Sequence, residues 1–384
     1  MTDLLKKILE ILEKNGPLKA KKTALLLDST RTTITHTDVN SELYKALTQN
    51  LDGLTKDKNS IWSYINPDIV KISFENSPNW VRAKVFEQIL SNYPNLLNSK
   101  REVIFDFSNK SLLLDCILKI LSLTNQLIRS GSRVTLKFDK DSDGFRYLSR
   151  CGFFDNIHKK VTIFPYRPEV SLAKIYNSNS DNLCEILAIN RDDDGSYLLR
   201  LTELIKAKLS EKDKQLLLNK LRTFIGELVD NIREHGLSSI DGYIALQIYS
   251  SGKIIIAISD SGSGLLHTLR TEALLYHQDN SDLISFTEQS LESDIGLLAY
   301  VFNKGKISRT GSERRGLGLS RTNEILKKIS TTDVSDISLI IRQQSYELDF
   351  PFGENGIEPN GCRTKSELTF IEGTHYVLTI QLDK

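Results

Sequence analysis

The sequence predicts a mixed α/β protein, and two observations favour this class. Between about residues 67 and 168, strand-like and helix-like segments alternate, which is typical of an open α/β sheet. Further along, an amphipathic helix over residues 211–234 is followed by two apolar runs, 243–249 and 253–259, that predict a β-hairpin. The length of 384 residues allows two or three domains.

Composition and charge limit the partners of the chain. The formal net charge is +1 at pH 7, so the chain as a whole has no electrostatic attraction to nucleic acid or anionic lipid. The most apolar short run, residues 254–258, is far too short to span a bilayer. The chain opens on a charged amphipathic helix rather than on a signal peptide. We therefore expect a soluble, cytoplasmic protein without a membrane partner.

The four cysteines lie far apart and show no paired spacing typical of a metal site. Two of them lie in apolar patterns that we interpret as helical, which favours reduced and buried thiols. These two are Cys116 and Cys184.

Residues 1–66 are predicted to contain three helices. Apolar residues recur at helical spacing over residues 4–12, and Gly16-Pro17 is expected to end that helix. Residues 18–27 predict a second, short helix. Asp38 is expected to cap a third helix, whose inward-facing residues would be Val39, Leu43, Tyr44 and Leu47.

A polar stretch, residues 52–60, precedes Trp62, as expected of a β-wing followed by an anchoring aromatic residue. Together with the three helices, this pattern resembles a winged helix-turn-helix module. A small basic group (Lys19, Lys21, Lys22 and Arg31) is compatible with DNA, and Asn40 could contact base edges. However, Asp38 and Glu42 at the start of the expected recognition helix oppose phosphate contact. We prefer a protein partner for this module, and DNA stays open.

Residues 67–168 are predicted to form an open sheet. Strands are expected at residues 69–74, 103–107, 134–138 and 161–164, and helices at 80–90, at 112–128 and from Phe145 onward. The spacing of Phe105-Asp-Phe107, Leu114-Asp-Cys116 and Leu148-Ser-Arg-Cys-Gly-Phe-Phe154 is similar to STAS domains, the fold of anti-sigma-factor antagonists.

STAS substrates carry an Asp-Ser pair at the start of the helix after the second strand. Here the matching pair is Asp115-Cys116, which lacks the acceptor hydroxyl, although Ser108 and Ser111 lie close. This departure puts self-phosphorylation in doubt. The module could instead act as a docking platform for the rest of the chain, with Cys116 as a buried core thiol. Residues 169–209 are expected to be a helical linker to the last part, residues 210–384.

The last part contains three motifs. Glu227 and Asn231 are four residues apart on a helix, so they share one face and can hold a water and a hard cation such as Mg²⁺. Asp260-Ser-Gly-Ser-Gly264 follows an apolar strand, and its glycines permit close backbone approach. Arg315-Gly-Leu-Gly-Leu319 precedes an amphipathic helix whose first backbone amides could face an anion. Each motif alone is weak evidence.

In this order, the three motifs resemble those of the GHKL superfamily: gyrase-type ATPases, a heat-shock chaperone class, histidine kinases and MutL proteins. The resemblance implies a Bergerat-type fold, with helices on one face of a mixed sheet, and the ligands ATP and Mg²⁺. It implies that Glu227 is the general base, that Asn231 is the Mg²⁺ ligand, and that Asp260 and Thr374 bind adenine. The remaining contacts would come from Gly262, Gly264, Arg315, Gly316, Leu317, Gly318 and Leu319.

The segment between Gly264 and Gly316 matches the mobile ATP lid of the family, in which Lys306, Arg309, Arg314 and Arg315 are candidates for neutralising phosphate charge. The resemblance implies a slow ATPase in which lid closure rearranges domains or subunits, as suits signalling or defence. ADP and a protein partner or a second copy of the chain are the further expected partners.

Two alternatives stay open at this point: a serine/threonine kinase of the anti-sigma-factor type, and an ATP-regulated DNA-binding regulator. A histidine kinase is disfavoured, because His36 and His158, the histidines before Glu227, lack an acidic neighbour on a dimerising helix.

Overall fold

The computed structural model describes most of the chain in segments, which are residues 1–27, 34–51, 53–64, 66, 68–98, 100–177, 179–189, 196–209, 214–235, 238–274, 281–304, 334–353 and 356–382. The predicted mixed α/β class is confirmed. The chain divides into two units, residues 1–71 with 101–104 and residues 72–100 with 105–384. The predicted boundaries at residues 66, 168 and 209 stay predictions. Among the described residues, no helix combines the length and apolar character needed to cross a bilayer.

The N-terminal part begins with three helices and a small antiparallel sheet of order β1-β3-β2. Its elements are α1 (Asp3–Asn15), β1 (Leu18–Lys19), α2 (Ala20–Leu27), α3 (His36–Thr48), β2 (Leu54–Lys56) and β3 (Ile61–Tyr64). Gly16 ends α1 in a left-handed conformation, with φ of 74°. Trp62 is fully buried among the helices, and its indole Nε1 donates to Asn40 Oδ1 at 3.0 Å.

Three details of this part differ from the sequence predictions. Residues 18–19 are a strand, so the second helix starts at Ala20. Thr35 rather than Asp38 caps α3, and the Asp38 carboxylate completes a capping box by accepting from the Thr35 backbone. Tyr44 is largely exposed instead of inward-facing, and its ring packs edge-on against Trp62 with centroids 5.0 Å apart.

The middle of the chain alternates strands and helices, as predicted. Its elements are β4 (Ile69–Ser73), β5 (Trp80–Val81), α4 (Ala83–Leu90), β6 (Glu102–Asp106), β7 (Ser111–Leu112), α5 (Leu114–Arg129), β8 (Arg133–Lys137), α6 (Asp143–Arg150), α7 (Phe153–Asn156), β9 (Thr162–Phe164) and α8 (Leu172–Ile175). Four strands form a sheet of order β4-β6-β8-β9, in which β8 and β9 run parallel. Helix α5 contacts β8 of this sheet.

The C-terminal part contains a larger sheet. Its elements are β10 (Leu183–Ile189), α9 (Ser196–Lys206), α10 (Lys214–His235), β11 (Gly242–Ile248), β12 (Lys253–Ser259), α11 (Leu265–Thr268), α12 (Ser281–Ile284), α13 (Leu291–Lys304), β13 (Val334–Gln344), β14 (Tyr346–Gly353), β15 (Gly356–Ile357), β16 (Arg363–Lys365) and β17 (Ile371–Leu382). The described strands pair in the order β10-β11-β12-β17-β13-β14-β15, with β16 beside β14, and every pairing is antiparallel.

Strand β10 corrects the predicted helical linker. Residues 183–189 are an apolar run that forms the first strand of the larger sheet, so residues 169–209 are not helical throughout. Cys184 therefore lies in a strand rather than in a helix, although its thiol is buried as expected.

Both faces of the larger sheet are covered. Ile254, Ile256 and Ile258 of β12 join one hydrophobic core with the apolar side of α10, and α9 and α13 contribute to the same core. Alternate residues of a strand point to opposite faces. On the opposite face, Ser259 meets α5, which also contacts β11 and β17. Helix α5 is consequently buried along almost its whole length between the two sheets.

Candidate functional site

Asp260 lies directly after β12 and is almost completely buried, at 7% exposed. Its Oδ1 accepts from the backbone N–H of Gly262, and its Oδ2 accepts from the backbone N–H of Thr374 at 3.1 Å. Burial raises the pKa of this carboxyl, and backbone hydrogen bonds from Gly262, Thr374 and Ser261 act in the opposite direction. A carboxylate offers about four lone-pair sites, so at least one remains for a further donor.

Thr374 is the partner of Asp260 across the sheet, although 114 residues separate them. Its carbonyl oxygen accepts from the Asp260 N–H at 3.0 Å. Its buried hydroxyl oxygen accepts from Leu265 N at 2.8 Å and from Gln343 Nε2 at 2.9 Å. The structure thus brings together two of the residues predicted to bind adenine. We call residues 260–264 and 372–374 the Asp260–Thr374 corner.

Two glycines are needed for the backbone of the Asp260–Thr374 corner. Gly373 has φ of 83°, and a Cβ there would overlap the carbonyl oxygen of Asp260. Gly264 has φ of 87°, and a Cβ there would lie 3.2 Å from Gln343 Oε1. Positive φ and crowding of this degree permit only glycine without strain. Gly262, by contrast, contributes its N–H to Asp260.

Glu227 and Asn231 lie one turn apart on α10, and both are partly buried. Leu228 and Ile232, the neighbouring residues in the sequence, are held in the hydrophobic core, which fixes the rotation of the helix. Helix α10 contacts α11, which starts immediately after Gly264. The helix with Glu227 and Asn231 is therefore next to the helix that leaves the Asp260–Thr374 corner.

The Asn231 side chain has a feature that fits a metal and phosphate site. Its Nδ2 is buried, and among the described residues it has no hydrogen-bond partner. A buried, unsatisfied donor costs about 1–3 kcal/mol, so such groups call for an explanation. An amide can donate through Nδ2 to a phosphate oxygen while its Oδ1 ligates a hard cation. The residue present thus fits the implied Mg²⁺.

The third motif lies outside the part of the chain that the structure describes. Arg315, Gly316, Leu317, Gly318 and Leu319 lie outside the described residues, as do Lys306, Arg309 and Arg314. Their predicted contacts with phosphate, and the predicted lid, stay predictions.

Sequence reasoning gave no role to three buried polar residues in or next to the Asp260–Thr374 corner. Gln343 of β13 bonds to Thr374 and accepts from Leu266 N at 3.4 Å. Ser261 accepts from Gln126 of α5 at 2.9 Å. His375 bonds through Nδ1 to Ser259 Oγ at 2.5 Å and through Nε2 to the Glu372 carbonyl at 3.2 Å.

His375 is held neutral by its surroundings. Burial lowers the pKa of its imidazole well below the usual value, and the charges of Arg342 and Lys119 lower it further. With Nε2 protonated and donating to Glu372, Nδ1 accepts the Ser259 hydroxyl proton. Ser259 also lies 2.6 Å from the hydroxyl of Ser122 on α5. This hydrogen-bonded chain joins α5 to the strand that carries Thr374.

A buried ion cluster further connects α4 and α5 with the larger sheet. Lys119 of α5 bonds to Glu87 at 2.9 Å and to Glu347 of β14 at 2.8 Å, and Arg342 of β13 bonds to Glu87 at 3.1 Å. Burial alone would raise the pKa of Glu87, but Lys119 and Arg342 outweigh it and lower the pKa to about 2. Lys365 extends the cluster to the surface through Glu347.

The pair Asp115-Cys116 has a structural role. The Asp115 carboxylate accepts from the backbone N–H of Ala83 at 3.2 Å, which satisfies a free amide at the start of α4. Cys116 is fully buried, and burial raises its pKa well above the usual value. The expectation of a buried core thiol at Cys116 is confirmed.

Comparison of the chain with models of known protein families and with curated proteins finds no match.

Proposed function

We propose that residues 210–384 bind ATP with Mg²⁺ in the manner of the GHKL superfamily and hydrolyse it slowly. The observation that carries the proposal is the Asp260–Thr374 corner. Two residues expected to bind adenine, 114 positions apart, exchange backbone and carboxylate hydrogen bonds there. The Nδ2 of Asn231 on the adjoining helix, which has no hydrogen-bond partner in the part of the chain that the structure describes, adds support. Helices α9, α10 and α13 on one face of the larger sheet support a Bergerat-type arrangement. Two features differ from that expectation: α5 covers the opposite face, and the described strands pair antiparallel instead of forming a mixed sheet.

Each residue then has a defined role in binding or hydrolysis. The Asp260 carboxylate accepts the exocyclic amine of adenine with a lone pair that its backbone partners leave free. Asn231 would hold Mg²⁺, which would neutralise charge on the phosphates. Glu227 orients a water and takes its proton as the oxygen attacks the γ-phosphorus. The bond between that phosphorus and the β–γ bridging oxygen breaks, which releases ADP and inorganic phosphate.

Binding is tested by calorimetry with ADP and ATP in the presence of Mg²⁺. We expect heat of binding for the parent and affinity at least about tenfold weaker for Asp260→Asn, because the loss of one hydrogen bond to a charged acceptor is about 1.5–3 kcal/mol. Asp336→Asn is the matched control, since it removes an exposed carboxylate from the same sheet. A parent that binds neither nucleotide would disprove the proposal.

Hydrolysis is tested separately with Glu227→Ala. We expect ATP turnover to vanish while ADP binding stays near that of the parent, because the Glu227 carboxylate acts on the attacking water and not on the adenine ring. Glu203→Ala, an exposed site on α9, is the control. Normal turnover by Glu227→Ala would show that another group is the base.

The kinase alternative is an outcome of the same assay. With ATP labelled on the γ-phosphate, label released only to solvent supports the ATPase, whereas stable label on serine or threonine supports a kinase. The buried thiol of Cys116 leaves the expected acceptor position without a hydroxyl. The four-stranded sheet with α5 supports a STAS-like module in a docking role.

For the N-terminal module, we propose a protein partner or a second copy of the chain. Its three helices and three-stranded sheet support a winged-helix arrangement. Asn40, a candidate for base contacts, instead uses its Oδ1 to accept from Trp62. Of the basic group, Arg31 lies outside the described residues, and Lys19, Lys21 and Lys22 are exposed. Salt-dependent DNA binding by the chain would overturn this preference.

A further inference from the structure

Helix α5 carries polar side chains that face the larger sheet. Ser122, Asn125 and Gln126 are all buried, and each bonds to a residue of the C-terminal part. A buried polar side chain is costly unless its hydrogen bonds are made, so these three residues fix the position of α5 on the sheet.

Gln126 makes the most contacts with the candidate site. Its Nε2 donates to Ser261 Oγ at 2.9 Å and to the Glu372 carbonyl at 3.1 Å. Its Oε1 accepts from the Glu372 backbone N–H at 2.9 Å. Ser261 follows Asp260 directly, and Glu372 precedes Thr374 by two residues. One side chain from the middle of the chain therefore bonds to both segments of the Asp260–Thr374 corner.

Arg129 strengthens the same attachment from the next turn of α5. Its guanidinium forms an ion pair with the Glu372 carboxylate and donates to Ser238 Oγ at 2.8 Å. Both partners of the ion pair are about one-third exposed, so this contact is weaker than the buried amide contacts of Gln126.

We propose that Gln126 is a positioning residue for the nucleotide site, through which the module containing α5 regulates ATP affinity. The inference rests on the proposed function of the Asp260–Thr374 corner. The Gln126 amide holds the Ser261 hydroxyl and the Glu372 backbone at the spacing at which Asp260 and Thr374 bond to each other. Linkage makes the effect reciprocal: whatever shifts α5 changes nucleotide affinity, and bound nucleotide stabilises the attachment of α5 by the same free energy.

The test compares two variants of the full-length chain. Gln126→Met keeps the side-chain volume and removes the three hydrogen bonds. Tyr147→Phe is the matched control, because it removes one hydrogen bond between the same two parts, from Tyr147 to Gln247 at 3.0 Å, away from the corner. We expect the dissociation constant for ADP to rise about tenfold in Gln126→Met. In Tyr147→Phe it should change less than about twofold.

Two further readouts separate positioning from general destabilisation. In ATP turnover, Gln126→Met should raise KM about tenfold and leave kcat within about twofold, because the corner binds the base and not the attacking water. A variant that is merely less stable loses active protein, which lowers the apparent kcat at constant KM. In the parent, ADP should slow amide exchange in residues 114–129, and Gln126→Met should lose this protection.

The outcomes are distinguishable. If the parent binds no adenine nucleotide, the proposed function fails and this inference with it. If the parent binds and Gln126→Met matches Tyr147→Phe in ADP affinity, only the role of Gln126 is refuted. If Gln126→Met does not fold, Arg129→Gln, at a site on the same helix that is about one-third exposed, replaces it. That variant should weaken ADP about threefold, and parental affinity would refute the coupling.

Discussion

The buried cluster around Glu87 makes the stability of the second unit depend on pH in a way that can be calculated. The carboxylate is fully buried between Lys119 and Arg342, which lower its pKa from the ordinary 4.5 to about 2. Each pKa unit corresponds to about 1.4 kcal/mol, so ionised Glu87 contributes roughly 3 kcal/mol to the folded state. Glu87→Gln, which keeps the shape and removes the charge, should lose about this amount at pH 7.

The sign of the pH effect follows from the lowered pKa. A carboxyl with a lower pKa in the folded state stabilises it above the unfolded pKa of 4.5, and the stabilisation is lost as pH falls toward 2. Between about pH 5 and pH 3.5, the parent should lose roughly 1 kcal/mol through this residue, a loss that Glu87→Gln cannot show. The difference in the free energy of unfolding between the parent and Glu87→Gln should therefore shrink by about 1 kcal/mol over this pH range.

The assay is urea unfolding at several pH values. Hydrogen exchange of the α5 amides monitors the unfolding, so that the signal comes from the unit that contains the cluster. Glu358→Gln, at an exposed site, is the control and should change stability by less than about 0.5 kcal/mol at pH 7. A stability difference for Glu87→Gln that stays constant from pH 7 to pH 3.5 would refute the reasoning.

Three other experiments test the packing. Gly373→Ala should destabilise the chain by about 2 kcal/mol or more, because its Cβ would overlap Asp260. Thermal unfolding measures this loss of stability. The control is Gly16→Ala, which has open space around it and should lose only about 1 kcal/mol of stability. Trp62→Ala should destabilise the first unit by about 3–5 kcal/mol, as seen in urea unfolding. With a thiol reagent, Cys362 should react before Cys151, because Cys362 is partly exposed whereas Cys151 is buried. The pKa of both thiols is raised, to about 11 and about 12, so equal rates would contradict the burial.

Long periodic elements were predictable from the sequence. The apolar stripe that predicts a helix over residues 211–234 corresponds to α10 at residues 214–235. Apolar residues that recur every 3.6 positions over so many turns fit an α-helix and not a strand. The strand over residues 183–189 was not predictable in the same way. A seven-residue, mostly apolar run fits a helix or a strand, and its pairing partners in β11 lie 53 to 64 residues further along the chain.

The candidate site was predictable only in part. Asp260 and Thr374 followed from the resemblance to a family, and the structure places them in contact. Gln343 and Gln126 could not be found, because hydrogen bonds between distant segments leave no period in a sequence. One signal was present in α5. Buried polar residues at positions 119, 122 and 124–126 lie among the apolar residues of this helix, which indicates burial on several sides with specific partners.

The position of the Asp260–Thr374 corner follows from the alternation of β12. Its even-numbered isoleucines pack with α10, whereas Ser259 bonds to α5 on the opposite face. Asp260 is the next residue, so its carboxylate lies directly after a strand that packs against α10 on one face and against α5 on the other. If one face of the sheet were solvated, water would take the place of Ser122 and Gln126, and only α10 would fix the strand end. Because α5 covers that face, the geometry of the corner depends on both layers.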